Sequence, residues 1–228
     1  MHRIIIFLLN ITISVYCFSQ SAKPITVFIH DTEVLKKDSL ENLFKETKIV
    51  PADLSLQTYL ALLYYPELKN TQILFKYKSI KTTMACKPTL ASMFKLKNRK
   101  YIIAINNTHK KSFGGIFIED VPFNCQIGLI GHELAHIIDY EHLGFWGILW
   151  RAIDILIDKS RMNYEKSIDK ITINSGLGWQ LLDWSDYVLN RSKASDHYKE
   201  FKAKNYLQPQ EIKALIDSSL NYKSIIVN

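Results

Sequence analysis

At 228 residues the chain is long enough for one domain with its own core, and 47% hydrophobic against 22% charged residues excludes an intrinsically disordered chain. Its 29 Lys and Arg against 22 Asp and Glu give a net charge of +7, which favours anionic surfaces in general. No Lys/Arg block interleaved with aromatics marks a nucleic-acid site, so a solvated basic surface is expected and nucleic acid is not a predicted partner.

Residues 1–20 carry the pattern of a secretory signal: Arg3 as a positive start, an apolar run from Ile4 to Val15, and a small polar exit at Ser19-Gln20-Ser21-Ala22. The run is shorter than the roughly 20 residues a spanning helix needs. Tyr16 is bulky where a lipidated Cys17 would need a small residue before it. The expectation is therefore a signal peptide over 1–20 and one mature domain over 21–228, secreted or periplasmic and with no transmembrane segment. Cleavage leaves 28 basic against 22 acidic residues, and two cysteines, Cys86 and Cys125. In an oxidising compartment these either pair or stay as buried thiols.

No repeat, low-complexity tract or Pro/Gly-rich linker divides the rest. Ile25 to Ile29 reads as a short strand. "DSLENLFKE" is a helix capped at Asp38 or Ser39, with Leu40, Leu43 and Phe44 on one face. "PADLSLQTYLALLYYPEL" is a second, with Pro51 near its start and Pro66 near its end. "TQILFKYKSIKTTM" alternates apolar and basic positions and predicts a half-exposed strand; "RKYIIAINN" predicts a more buried one. "HKKSFGG" is a turn and "GIFIEDV" an edge strand. From about Phe123 onward the pattern is mainly helical. Mixed strands and helices followed by helices define an α+β class.

The chemistry sits in "CQIGLIGHELAHIIDYEHLGFW". His132 and His136 are four apart, which on a helix is one turn plus about 40° of rotation and about 6 Å of rise, so both imidazoles project from one face and can share a cation. Glu133, beside the first of them, is placed to take a proton from an activated water. Ile127, Leu129, Ile130, Leu134, Ala135, Ile137 and Ile138 make the helix apolar on nearly every other face. A buried helix cannot carry two His and a Glu inward without partners, and a metal supplies them.

Two residues compete as the third ligand. "HELAHIIDYEH" fits HExxHxxGxxH, the metzincin pattern that would use His142, except that Asp139 stands where a glycine lets the chain turn off the helix. "SRMNY" around Met162 is the matching Met-turn candidate. The rival is Glu165 in "NYEKSIDKITINSG": Glu165 and Asp169 are also four apart, and Ile168, Ile171, Ile173 and the stop at Gly176 mark a helix through them. There Glu165 would ligate and Asp169 would hydrogen-bond a ligand histidine. The missing glycine favours Glu165.

HExxH followed by ExxxD resembles the gluzincin metallopeptidases, closest in motif to the CAAX-endopeptidase/HtpX type. Ile168 replaces that type's usual Ala, and Ser160-Arg161 lies one residue further from the Glu than usual. The likeness covers roughly residues 126–178 and does not include membrane-spanning segments. It implies a small zincin-like domain, a mixed sheet with an active-site helix and a helical C-terminal half. It also implies Zn2+ held by His132, His136 and Glu165, with peptide or protein as substrate. Glu133 would be the catalytic base, and His197, with Tyr198 beside it, the donor to the developing oxyanion. "RKYIIAINN" or "GIFIEDV" would be the strand that pairs with an extended peptide.

Between the motifs, "FWGILWRAIDILI" is an amphipathic helix interrupted by Arg151 and Asp154. It is expected to pack on the core, peripheral membrane contact being the other use of such a helix. Two further functions compete with a peptidase: a zinc hydrolase of another amide, such as a cell-wall peptide bond, and a non-enzymatic domain with structural zinc. An intact Glu133 argues against the last.

Overall fold

Residues 22–95, 97–108, 114–154 and 156–223 are described here from a computed structural model. The signal-peptide expectation and most of the "HKKSFGG" turn lie outside them. After an extended lead, α1 (His30–Val34) and α2 (Lys37–Phe44) bring the chain to the two-residue strand β1 (Lys48–Ile49), followed by α3 (Ser55–Leu62) and a 3-10 turn at Pro66–Leu68. Next come β2 (Gln72–Lys78), β3 (Met84–Pro88) and β4 (Lys100–Asn106), and then only helices: α4 (Phe123–Glu141), α5 (Phe145–Asp154), α6 (Asp158–Thr172), α7 (Gly178–Asp186), α8 (Asp196–Asn205), α9 (Pro209–Ser218) and α10 (Leu220–Lys223). The fold is α+β, with a mixed sheet first and a helical C-terminal half.

The sheet has order β1-β2-β4-β3, parallel except for β3, which runs antiparallel to β4. β4 lies between two strands, and Ile103, Ala104 and Ile105 are all buried, as expected of a strand covered on both faces. β2 alternates as its sequence suggests, burying Ile73 and Phe75 and exposing Lys76 and Lys78.

α4 is the central helix. Every residue from Cys125 to Ile137 is buried, so it is enclosed on all sides: by α3 and β3, by α6, and by α7. Two small residues permit this. A Cβ at Gly128 would collide with the backbone carbonyl of Gln180 in α7, and one at Gly131 would press on Leu177. α6 widens after Thr172 into a π turn at Ile173–Leu177, where Gly176 takes φ 111°, a left-handed conformation that glycine adopts without Cβ strain; α7 starts directly after it. Gly176 thus breaks the helix where its sequence position says it should.

Three local expectations are corrected. Ile25 to Ile29 joins no strand: the Asn124 side chain bonds both Phe28 N–H (2.8 Å) and Phe28 C=O (2.9 Å), and Gln180 donates to Ile25 C=O (2.9 Å), so side chains on helices satisfy this backbone. "TQILFKYKSIKTTM" is not one strand, since β2 ends at Lys78 and β3 begins at Met84 on the far side of β4. "GIFIEDV" forms a 3-10 turn at Ile118–Asp120 tied to α4 by Gln126 (2.9 Å to Ile118 C=O). With β4 interior to the sheet, neither proposed peptide-pairing strand is an edge. β3 is, and its outer side is unpaired among the described residues.

Candidate metal centre

α4 carries His132 and His136 one turn apart, and α6 crosses it carrying Tyr164, Glu165 and Asp169. Helical spacing on each element and the packing of the two helices bring these side chains together. Asp169 Oδ1 lies 2.8 Å from His132 Nδ1, and its Oδ2 accepts the backbone N–H of Leu207 at 2.8 Å. The Tyr164 hydroxyl lies 2.9 Å from His136 Nδ1. Tyr65 adds a bond from its hydroxyl to the Gly131 carbonyl (2.7 Å), fixing α4 one residue before His132.

The carboxylate bond decides what the other ring nitrogen of His132 offers. A carboxylate only accepts, so His132 Nδ1 donates to Asp169, and in the neutral ring Nε2 carries the lone pair. That Nε2 faces Glu165 Oε2 at 3.2 Å, and His136 Nε2 faces the same oxygen at 3.5 Å. Glu165 Oε2 is buried with no aligned hydrogen bond among the described residues. The Glu165 oxygen and the His132 lone pair, both buried and turned toward one point, repel unless a proton or a cation lies between them. In the absence of a cation the proton takes that place. Burial pulls His132 down, but the neighbouring Asp169 and Glu165 carboxylates prevail and push it up to about 10. Burial pushes the Glu165 carboxyl up, and the two histidines reverse this and hold it well below the usual carboxylate range.

The same geometry fits a metal. Donor atoms bound at about 2.1 Å in a tetrahedron stand about 3.4 Å apart, and the two histidine–glutamate separations bracket that value. His132, His136 and Glu165 each offer a ligand atom within 4.8 Å of the others, a group that can hold a metal ion. His142 is not in that group. It caps the C-terminus of α4 and is exposed. Asp139, in the place of the metzincin glycine, pairs with Arg151 (3.1 Å), and Met162 sits within α6, not in a turn.

Glu133 is buried beside His132 on the same helix, and among the described residues no hydrogen bond reaches its Oε2. Cys86 on β3 faces the same region: burial, and secondarily the Glu133 carboxylate, push its thiol well above the ordinary value. Cys86 and Cys125 are both free thiols, so they are not bonded to each other. A groove of about 810 Å³ opens at the metal group, lined by Glu165, Arg161, Thr82, His197, Tyr198 and Tyr206 among others. His197 is on its exposed rim. Tyr206 lies deeper: its ring is 5.5 Å from that of His132, and the Lys202 ammonium lies 3.8 Å from its ring centroid. Burial, then the Glu165 and Glu133 carboxylates, push the Tyr206 phenol well above its ordinary value, so it remains a proton donor.

Sequence reasoning missed two of these residues. Tyr164 directly precedes Glu165, and its adjacency was the available signal, since neighbours on a helix point about 100° apart and can reach successive ligands. Nothing local marks Tyr206, which lies 41 residues beyond Glu165 and arrives there through the packing of α8. Comparison of the chain with protein-family models, with curated proteins and with solved structures finds no match in any of the three.

Proposed function

We propose that this chain is an exported zinc-dependent metallopeptidase of the gluzincin kind, with His132, His136 and Glu165 as ligands. The observation that carries this is the pairing of a convergent His-His-Glu donor set with an adjacent buried carboxylate, Glu133, whose Oε2 has no hydrogen-bond partner among the described residues. A purely structural metal site has no use for that second carboxylate. His and carboxylate donors together suit zinc, although they also serve other divalent transition metals.

Zinc, when bound, supplies the Lewis acid that polarises the scissile carbonyl and makes water acidic enough to lose a proton near neutral pH. Glu133 accepts that proton and returns it to the leaving amine. Asp169 and Tyr164 hold the two imidazoles with their Nε2 atoms inward. Tyr206 replaces His197 as the favoured donor to the carbonyl oxygen as charge develops, because it is near His132 and stays protonated. β3 is the strand available for an extended substrate, being the sheet edge that packs on α4.

The test compares wild type with Glu133→Gln by metal analysis and by cleavage of casein and a peptide library. The expected outcome is one zinc per chain in both and cleavage by wild type alone. Zinc retained by a wild-type protein that cleaves no peptide would sink the peptidase reading and leave a hydrolase of another amide or a structural zinc domain. Metal released by His142→Ala and kept by Glu165→Ala would overturn the ligand set.

A further inference from the structure

Four apolar residues of α5, Trp146, Leu149, Trp150 and Ile153, fall at the spacing of a single helical stripe. That stripe faces away from the core. Trp146 is 69% and Trp150 63% exposed, while Ile148 on the other side is buried. The expectation that α5 hides its apolar face is thus met by Ile148 and contradicted by both tryptophans. Leu156 and Ile157 continue the exposed surface, and the segment after β3 adds Leu90 and Phe94. Phe94 stacks on Phe145 with centroids 4.6 Å apart, so segment and helix form one patch. Arg99 fixes that segment, donating to Lys95 C=O at 2.6 Å and to Tyr140 C=O at the end of α4 at 2.7 Å. Lys95 and Lys97, beside Phe94, are exposed. On its inner side α5 is anchored: Arg151 pairs with Asp139 and lies 4.3 Å over the ring of Tyr164, the residue that bonds His136.

We propose that this face seats the protein on an anionic lipid surface. Contiguous exposed aromatics on a soluble fold mark a contact surface, and tryptophan with adjacent lysine is the composition that suits the boundary between acyl chains and headgroups. Charge selects the occupant. Two copies joined through the patch would bring both sets of lysines to one seam, where they repel, whereas anionic headgroups neutralise them. The net charge of +7 acts in the same direction. The inference does not depend on the peptidase reading.

The full chain is mixed with vesicles of phosphatidylcholine, alone or with phosphatidylglycerol, whose acyl chains carry bromine. Only tryptophans that reach the hydrocarbon are quenched, so the readout is independent of any insertion by residues 1–20. Quenching is expected on the phosphatidylglycerol vesicles. It should vanish in Trp146→Ser/Trp150→Ser, which keeps only Trp179 and Trp184, and partitioning should fall at least about tenfold. Lys95→Gln/Lys97→Gln should weaken partitioning to the anionic vesicles roughly fivefold per lysine. Circular dichroism and metal content verify that the variants fold. Three outcomes overturn the proposal: no quenching on any vesicle, quenching equal on neutral and anionic vesicles, or quenching that survives the double substitution. A dimer in sedimentation that the tryptophan substitutions split would assign the face to a second copy instead.

Discussion

Each histidine of the candidate metal group has two jobs divided between its nitrogens: Nδ1 is held by Asp169 or Tyr164, and Nε2 turns toward Glu165. The division matters because an imidazole free to rotate or change tautomer loses metal affinity about 10- to 100-fold. Tyr206 and His197 can be separated at this scale. Tyr206→Phe removes one hydroxyl from a side chain packed beside His132 and Lys202, so peptide kcat should fall about 100-fold with metal content unchanged. His197→Ala, on the exposed rim, should leave kcat within about twofold. Equal losses from both, or a loss only from His197→Ala, would restore His197 to the role expected of it.

Helices and strands decide which of these side chains can meet. The apolar frame of α4 reads directly from its sequence, and it is buried from Cys125 to Ile137. The two glycines inside it are less legible, because a glycine in a helix signals close packing only when its neighbour is known. Gly128→Ala would drive a methyl into the Gln180 carbonyl across the α4–α7 interface. Backbone on backbone cannot give as a side-chain tip would, so a loss of at least about 3 kcal/mol is expected. Calorimetry should then show a Tm lower by roughly 6–12 °C for a chain of this size. A Tm within about 2 °C of wild type would mean that α4 and α7 are not held so closely. The strand readings show the opposite limit. "RKYIIAINN" was legible as a buried strand from its composition, but its place inside the sheet was not, since β3 arrives beside it from an earlier part of the chain.

Across the whole molecule the metal group links stability to pH. Without metal, His132 is raised from its ordinary 6.5 to about 10, so the stability it contributes is complete below pH 6.5 and is lost as pH rises through about 10. Glu165 is depressed below its ordinary 4.5, so its contribution is present above that pH and is lost on acidification. Zinc needs the ligands deprotonated, and its stabilisation grows as pH rises. The Tm of the chelated protein should therefore decline between pH 6.5 and about 10, and saturating zinc should flatten that decline. At a hundredfold excess over Kd, zinc adds about 2.7 kcal/mol, or roughly 5–11 °C in Tm. A chelated protein whose Tm is flat over that interval would contradict the protonated His132.

What the sequence by itself determined is local: two histidines and a glutamate on one helix, a second helix with Glu165 and Asp169 on one face, the break at Gly176, and an α+β order of elements. Helical periodicity and backbone preference act over a few residues, so a few residues suffice to read them. The tertiary structure alone decided that α6 crosses α4 with Glu165 toward both histidines, that Tyr206 and not His197 lies against His132, that β3 is a sheet edge, and that α5 turns its tryptophans outward. Each of these depends on which distant surfaces find complementary area to bury, and no window of neighbouring residues contains that information.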